Sequence, residues 1–163
     1  MVRRKLSATE TFWMAQTRKL ETYACDKGWK VVYTTGKKNS EADFVAKKLL
    51  IEADVKAEHT FYYFLHEIGH MLVCQNSKTY AAKYQPVYDG FHETSLTHKV
   101  NRVEEEYDAW KSGQRLARRL GLKINRREFE KLRTKCLASY MMWVVNRKIQ
   151  AATKKKATTG TKK

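Results

Sequence analysis

Three residues near the middle of the chain have the types and spacing of a site that binds a metal ion and activates water. They are His66, Glu67 and His70, within the pentapeptide His66-Glu67-Ile68-Gly69-His70. Residues four apart lie on one face of a helix, so the two imidazoles can share one Zn²⁺, with Glu67 beside the water that such an ion binds. This is the HExxH pattern of zinc metallopeptidases, in which the glutamate is the general base. The pattern predicts hydrolysis of a peptide bond by metal-activated water.

A catalytic zinc ion needs a third protein ligand, and a second helix, predicted over residues 98–120, offers one. This helix carries Glu104, Glu105 and Glu106. At 100° per residue, Glu106 falls near the centre of the apolar face, Glu105 at its edge and Glu104 away from it. A carboxylate on a buried face needs a partner, which a zinc ion would provide. We expect Glu106 to be the third ligand, with Glu105 or Glu104 in its place if the helix is rotated by one residue.

Cys74, His92 and His98 are the other candidates for this ligand. Cys74 lies two helical turns beyond His66, which is too far along the axis for both to bind one ion comfortably, and we interpret it as a buried free cysteine. The reaction also needs a group that stabilises the developing oxyanion. His92, His98 or Tyr88 could supply it from the segment 76–98, and the sequence does not choose among them.

The elements that must position these residues follow from hydrophobic spacing and capping signals. Helices are predicted at 8–26, about 54–75, 98–120 and 125–149, and extended segments at 29–33, 41–46 and 49–53. A helix over 41–53 is an alternative on propensity, but we favour a small three-stranded antiparallel sheet. Residues 76–98 show little periodicity, and we expect a long loop at the rim of the site. The sequence therefore predicts a single α+β domain over residues 1–149, with about four helices.

This order of elements resembles a known family of zinc peptidase-like domains, the ImmA/IrrE group of bacteria, phages and mobile elements. The resemblance spans about residues 28–120 and rests on the HEIGH helix and on the helix that reads Glu106-Tyr107-Asp108-Ala109-Trp110. It implies a minimal thermolysin-type (gluzincin) fold, with zinc held by His66, His70 and Glu106 and with Glu67 as general base.

The formal net charge of the chain is +16. The last fourteen residues, 150–163, carry five lysines and no acidic residue, and we expect them to form a disordered basic tail. A basic domain with a basic tail favours weak association with nucleic acid or acidic partners. An alternative function is therefore a non-catalytic, zinc-stabilised regulatory protein that binds a host protein or nucleic acid.

The cysteines and the hydropathy pattern bear on location. Three widely spaced cysteines, Cys25, Cys74 and Cys136, are unlike a secreted disulfide framework. No apolar stretch has the ~20 residues that a membrane-spanning helix needs. We therefore expect a cytoplasmic protein that does not enter a membrane.

Overall fold

The computed structural model describes residues 5–36 and 39–159, except the side chains of Ser77 and of residues 146–159. Within these residues the chain forms six helices and one three-stranded sheet. The elements are, in chain order, α1 (Ala8–Asp26), β1 (Lys30–Thr34), β2 (Glu41–Asp43), β3 (Lys48–Glu52), α2 (Ala57–Gln75), α3 (Ser77–Lys83), α4 (Gln85–Gly90), α5 (Leu96–Arg119) and α6 (Arg126–Thr159). The predicted α+β class is confirmed.

Helix α1 begins at a capping box and covers one side of the HEIGH helix, α2. The Ser7 hydroxyl accepts a hydrogen bond from the Glu10 backbone N–H (3.1 Å), and the Glu10 carboxylate accepts one from the Ser7 N–H (2.8 Å). On the buried face of α1, the Trp13 ring lies 5.4 Å from the ring of Phe61 and 5.6 Å from that of Tyr62, both on α2. Aromatic packing against α1 therefore fixes the N-terminal part of α2.

The sheet is mixed, so the prediction of an antiparallel sheet was wrong for one of its two strand pairs. Strands β2 and β3 pair antiparallel, with Glu41 opposite Leu50, whereas β1 pairs parallel to β3, with Val31 opposite Leu49. The order is β1-β3-β2. Strand β3 takes the centre because it is the most apolar strand and buries Leu49 and Ile51 completely. The short polar strand β2 is left at an edge.

Helices α2 and α5 approach each other closely at two glycines. A Cβ atom added at Gly69 would overlap the carbonyl oxygen of Ala109, and one added at Gly113 would overlap the carbonyl oxygen of Leu65. Each helix thus contributes one glycine that allows the backbone of the other to come near. These two contacts set the distance between the helix that carries the histidines and the helix that carries Glu106.

The segment 76–98, predicted to be a loop, is largely helical. Helices α3 and α4 occupy most of it, and α5 begins within it at Leu96, after the N-cap Ser95. Tyr80, Tyr84 and Tyr88, spaced by four residues, all turn towards α5, where their hydroxyls bond to carboxylates. That spacing is a helical signal that the composition of the segment concealed.

The C-terminal stretch that we predict to be a disordered basic tail, residues 150–163, is described only in part. The backbone of α6 extends to Thr159, without described side chains, and residues 160–163 lie outside the described residues. The disorder of this tail and its separation from the domain stay predictions. Among the described helices, none has the length and apolar character needed to cross a membrane.

Candidate metal centre

Three buried side chains from two helices converge on one point. His66 and His70 extend from adjacent turns of α2, and their Nε2 atoms lie 3.2 Å apart. Glu106 reaches them from α5, with its Oε2 at 3.2 Å from the Nε2 of His66 and 3.4 Å from that of His70. Among the described residues, these three form a group whose ligand atoms could hold a metal ion. The structure thus brings together the three residues that the sequence proposes as ligands.

The geometry of this group fits a zinc ion. Bonds of 2.0 to 2.2 Å at tetrahedral angles put ligand atoms about 3.3 to 3.6 Å apart, close to the separations in the triangle. The Oε2 atom of Glu106 is buried and, despite its closeness to both rings, has no hydrogen bond of ordinary geometry. Buried polar atoms without a partner often mark the place of an ion. Two imidazole nitrogens and one carboxylate oxygen are also a donor set that zinc prefers.

Without a metal ion, the pKa values of His66, His70 and Glu106 shift in different directions. Burial lowers the pKa of His66 to about 4, although Glu106 opposes the shift. Burial would also lower the pKa of His70, but the contact with Glu106 outweighs burial and raises that pKa. For Glu106 itself burial would raise the pKa, and the two histidines hold it well below its usual range. Glu106 is therefore ionised and ready to bind a cation at neutral pH.

Glu67 lines the same cleft as the three candidate ligands. It is buried, and burial raises its pKa to about 7, with His70 lowering the value and Glu106 and Glu41 adding to it. A base with a pKa near the working pH can both accept a proton and give it back. Burial therefore moves the pKa of Glu67 into the range that suits a general base.

The ring of His66 is oriented by stacking on Trp110. The two ring centroids lie 4.3 Å apart with an interplanar angle of 18°. Trp110 is buried on α5, one turn after Glu106. The Nδ1 atom of His66 has no hydrogen-bond partner among the described residues, so the ring is supported by this stack and by an edge contact with the ring of His70, whose centroid lies 4.5 Å away. Helix α5 therefore supplies both the third candidate ligand and the support for the first.

Glu105, unlike Glu106, is held in a network of hydrogen bonds from protein side chains. It is buried beside the group, but its carboxylate accepts hydrogen bonds from Tyr80 (3.3 Å), from Tyr88 and from Arg102 (3.1 Å). The Arg102 guanidinium also lies 4.0 Å from the other oxygen of Glu106. With three donors already bound, Glu105 is satisfied without a metal ion, and its network ties the α3–α4 segment to the helix that carries Glu106.

The remaining candidates from the sequence do not join the group. Glu104 is exposed on α5. His92 is exposed and contacts Thr94, and His98 lies against Phe91 and the ring of Tyr88. Neither histidine lines the cleft above the group, and neither does Tyr88, whose hydroxyl donates to Glu105. The structure therefore gives no support to His92, His98 or Tyr88 as the group that stabilises the oxyanion.

Cys74 lines the cleft but stands apart from the three converging atoms. It is half-buried, and burial raises the pKa of its thiol to about 11. The thiol is therefore protonated at neutral pH, which agrees with the interpretation of Cys74 as an ordinary free cysteine.

A cleft of about 940 Å³ opens over the candidate metal centre. Its walls come from β2 and β3, from α2, from α3 and α5, and from α6. The charged residues among the described lining are Glu41, Glu52, Glu67, Glu105, Glu106 and Arg102. The cleft is therefore acidic, although the chain as a whole carries a net charge of +16.

Tyr140 of α6 is a cleft residue that sequence reasoning missed. It lines the cleft with His66, Glu67 and His70. Burial, followed by the charge of Glu106 and contact with that carboxylate, raises the pKa of the Tyr140 phenol. The available signal was a tyrosine on the apolar face of the last predicted helix.

Comparisons with models of known protein families, with curated proteins and with solved structures found no match to this chain.

Proposed function

We propose that this protein is a zinc-dependent peptidase, with His66, His70 and Glu106 as the metal ligands and Glu67 as the general base. The observation that carries the proposal is the triangle of buried ligand atoms, with sides of 3.2 to 3.4 Å, next to a buried glutamate in an open cleft. The resemblance of the HEIGH and Glu106 helices to the ImmA/IrrE group points the same way.

The residues divide the chemistry of peptide hydrolysis between them. When bound, zinc supplies Lewis-acid polarisation of the carbonyl and makes water more acidic. Glu67 accepts a proton from the attacking water and delivers it to the leaving amine. His66, His70 and Glu106 hold their positions because they are buried between two helices that touch backbone to backbone. The reaction needs no covalent enzyme intermediate.

The cleft favours a peptide with basic side chains near the bond that is cut. Glu41 and Glu52 line its sheet side and have no ion pair among the described residues. Glu105, by contrast, is neutralised by Arg102. Unpaired carboxylates beside a cleft attract cationic groups and repel acidic ones.

A Glu67→Gln variant tests the proposal because it removes the base and leaves the three ligands in place. Zinc content and digestion of a randomised peptide library, followed by mass spectrometry, are measured for the wild type, for this variant and for His66→Ala and Glu106→Ala. We expect Glu67→Gln to keep its zinc and lose cleavage, and the other two to lose both. A Glu67→Gln protein that cleaves at the wild-type rate would contradict the assignment.

The competing function is a non-catalytic, zinc-stabilised binding protein. It predicts zinc in the wild type and no cleavage of any library peptide. It also predicts that Glu67→Gln leaves every biological effect intact, since the glutamate has no task in a structural metal site. The zinc and cleavage measurements together separate the two functions.

A further inference from the structure

Peptide hydrolysis also requires a group that stabilises the negatively charged carbonyl oxygen, and none of the residues assigned so far has this role. As water adds to the carbonyl carbon, negative charge builds on the carbonyl oxygen, and a donor in the cleft lowers the barrier by bonding to it. Several donors that line the cleft are already engaged. Tyr80 and Arg102 donate to Glu105, and the hydroxyl of Ser139 donates to the backbone carbonyl of Cys136 (2.6 Å).

Two further tyrosines line the cleft, Tyr63 and Tyr140, and neither is part of the hydrogen-bond network around Glu105. They differ in position. Tyr63 lies on α2, one turn before His66. Burial, followed by the charges of Cys136 and Glu52, raises the pKa of its phenol, and no residue of the candidate metal centre contributes to this shift. Tyr140 comes from α6, across the cleft, and its phenol contacts the Glu106 carboxylate. Of these two phenols, that of Tyr140 is therefore the one held against a residue of the candidate metal centre.

We propose that Tyr140 is a catalytic residue, whose phenol donates a hydrogen bond to the carbonyl oxygen of the scissile peptide bond as that oxygen becomes negative. In the ground state the phenol rests against Glu106, and it turns from this carboxylate to the substrate. A tyrosine side chain has two rotatable bonds, so this change needs no movement of the backbone. The inference rests on the proposed peptidase function.

The step balances without any further reactant. The oxygen of water forms a bond to the carbonyl carbon, and the bond between that carbon and the amide nitrogen breaks. Glu67 takes one proton from the water and gives it to the nitrogen, so that the products are a carboxylic acid and an amine. Tyr140 keeps its proton throughout, since a phenol has a pKa of about 10 and acts here only as a hydrogen-bond donor.

The test compares Tyr140→Phe with two other variants that each remove one phenol hydroxyl. Tyr63→Phe examines the competing donor. Tyr107→Phe is the control, because Tyr107 follows Glu106 directly in the chain but is exposed outside the cleft. Zinc content, kcat and KM are measured with a fluorogenic peptide selected from the library digestion. The affinity of a phosphinic tetrapeptide with terminal lysines, which mimics the anionic transition state, is measured for all zinc-loaded proteins.

We expect Tyr140→Phe to retain zinc, to lower kcat by about 10²- to 10³-fold with KM within about twofold, and to weaken phosphinic peptide binding at least tenfold. Tyr107→Phe should match the wild type. Loss of zinc from Tyr140→Phe, an unchanged kcat, or the same defect in Tyr63→Phe alone would each overturn the inference. If the wild type itself binds zinc but neither cleaves peptides nor binds the phosphinic peptide, the peptidase function fails first, and the inference falls with it.

Discussion

Replacing Gly113 with alanine should weaken metal binding, although Gly113 contacts no ligand atom. A Cβ atom at this position would overlap the carbonyl oxygen of Leu65, the residue before His66. Restoring van der Waals contact requires α2 and α5 to separate by about 1 Å. Metal-to-ligand distances tolerate only about 0.2 Å, so the group of His66, His70 and Glu106 cannot keep its geometry after such a shift.

The free energy of unfolding and the zinc affinity should respond differently to this substitution. Glycine to alanine within a helix stabilises by about 1 kcal/mol, whereas overpacking costs about 1 to 3 kcal/mol, so Gly113→Ala should fold with a modest loss of stability. Zinc affinity should fall at least tenfold, which is about 1.4 kcal/mol. Competition with a chromophoric chelator measures the affinity, and circular dichroism measures the helix content.

The matched control is Gly90→Ala, because a Cβ atom at Gly90 would meet nothing within 4 Å. This variant should bind zinc as the wild type does. A folded Gly113→Ala protein with wild-type zinc affinity would refute the reasoning, since the close approach of the two helices would then not set the position of the ligands.

Three further predictions concern stability, ligand support and substrate preference. Removing zinc with a chelator should lower the midpoint temperature of thermal unfolding, because the buried Glu106 then lacks its cation. An unchanged midpoint in calorimetry would contradict this prediction. Trp110→Leu should weaken zinc binding by about 10- to 100-fold, because residues that orient a metal ligand typically contribute this much to metal affinity. A Trp110→Leu protein with full zinc affinity would show that stacking does not orient His66. Library peptides with lysine near the cut should be cleaved faster than those with glutamate, and a Glu41→Lys, Glu52→Lys double variant should reduce or reverse the preference measured by mass spectrometry.

The candidate ligands could be predicted from the sequence because helical periodicity is a local property. The spacing of His66 and His70 places them together on any helix, and the phase of α5 selects Glu106. The phase argument placed Glu105 at the edge of the buried face, and in the structure it is fully enclosed. Its partners Tyr80 and Tyr88 belong to the segment that we predicted to be a loop, because its composition concealed the four-residue spacing of its tyrosines.

The order of the strands could not be predicted because it depends on contacts between segments distant in the chain. The hairpin of β2 and β3 follows from its short connection, and the structure agrees with it. The place of β1 beside β3 depends on the burial of Leu49 and Ile51 against α2, which gives β3 the central position. Tyr140 was missed for a similar reason, since a tyrosine on an apolar helix face has the same pattern whether it packs in a core or borders a cleft.

The candidate metal centre joins two helices whose candidate ligands are far apart in the chain, and this has a topological consequence. His70 and Glu106 are separated by 36 positions, and α3 and α4 lie entirely within that interval. An ion held by both residues closes this interval into a ring, as a disulfide does, and closing a ring of such length restricts the unfolded chain by up to about 4 kcal/mol in the chain-entropy model. Unlike a disulfide, such a ring would form in a reducing environment and would open when the metal is withdrawn.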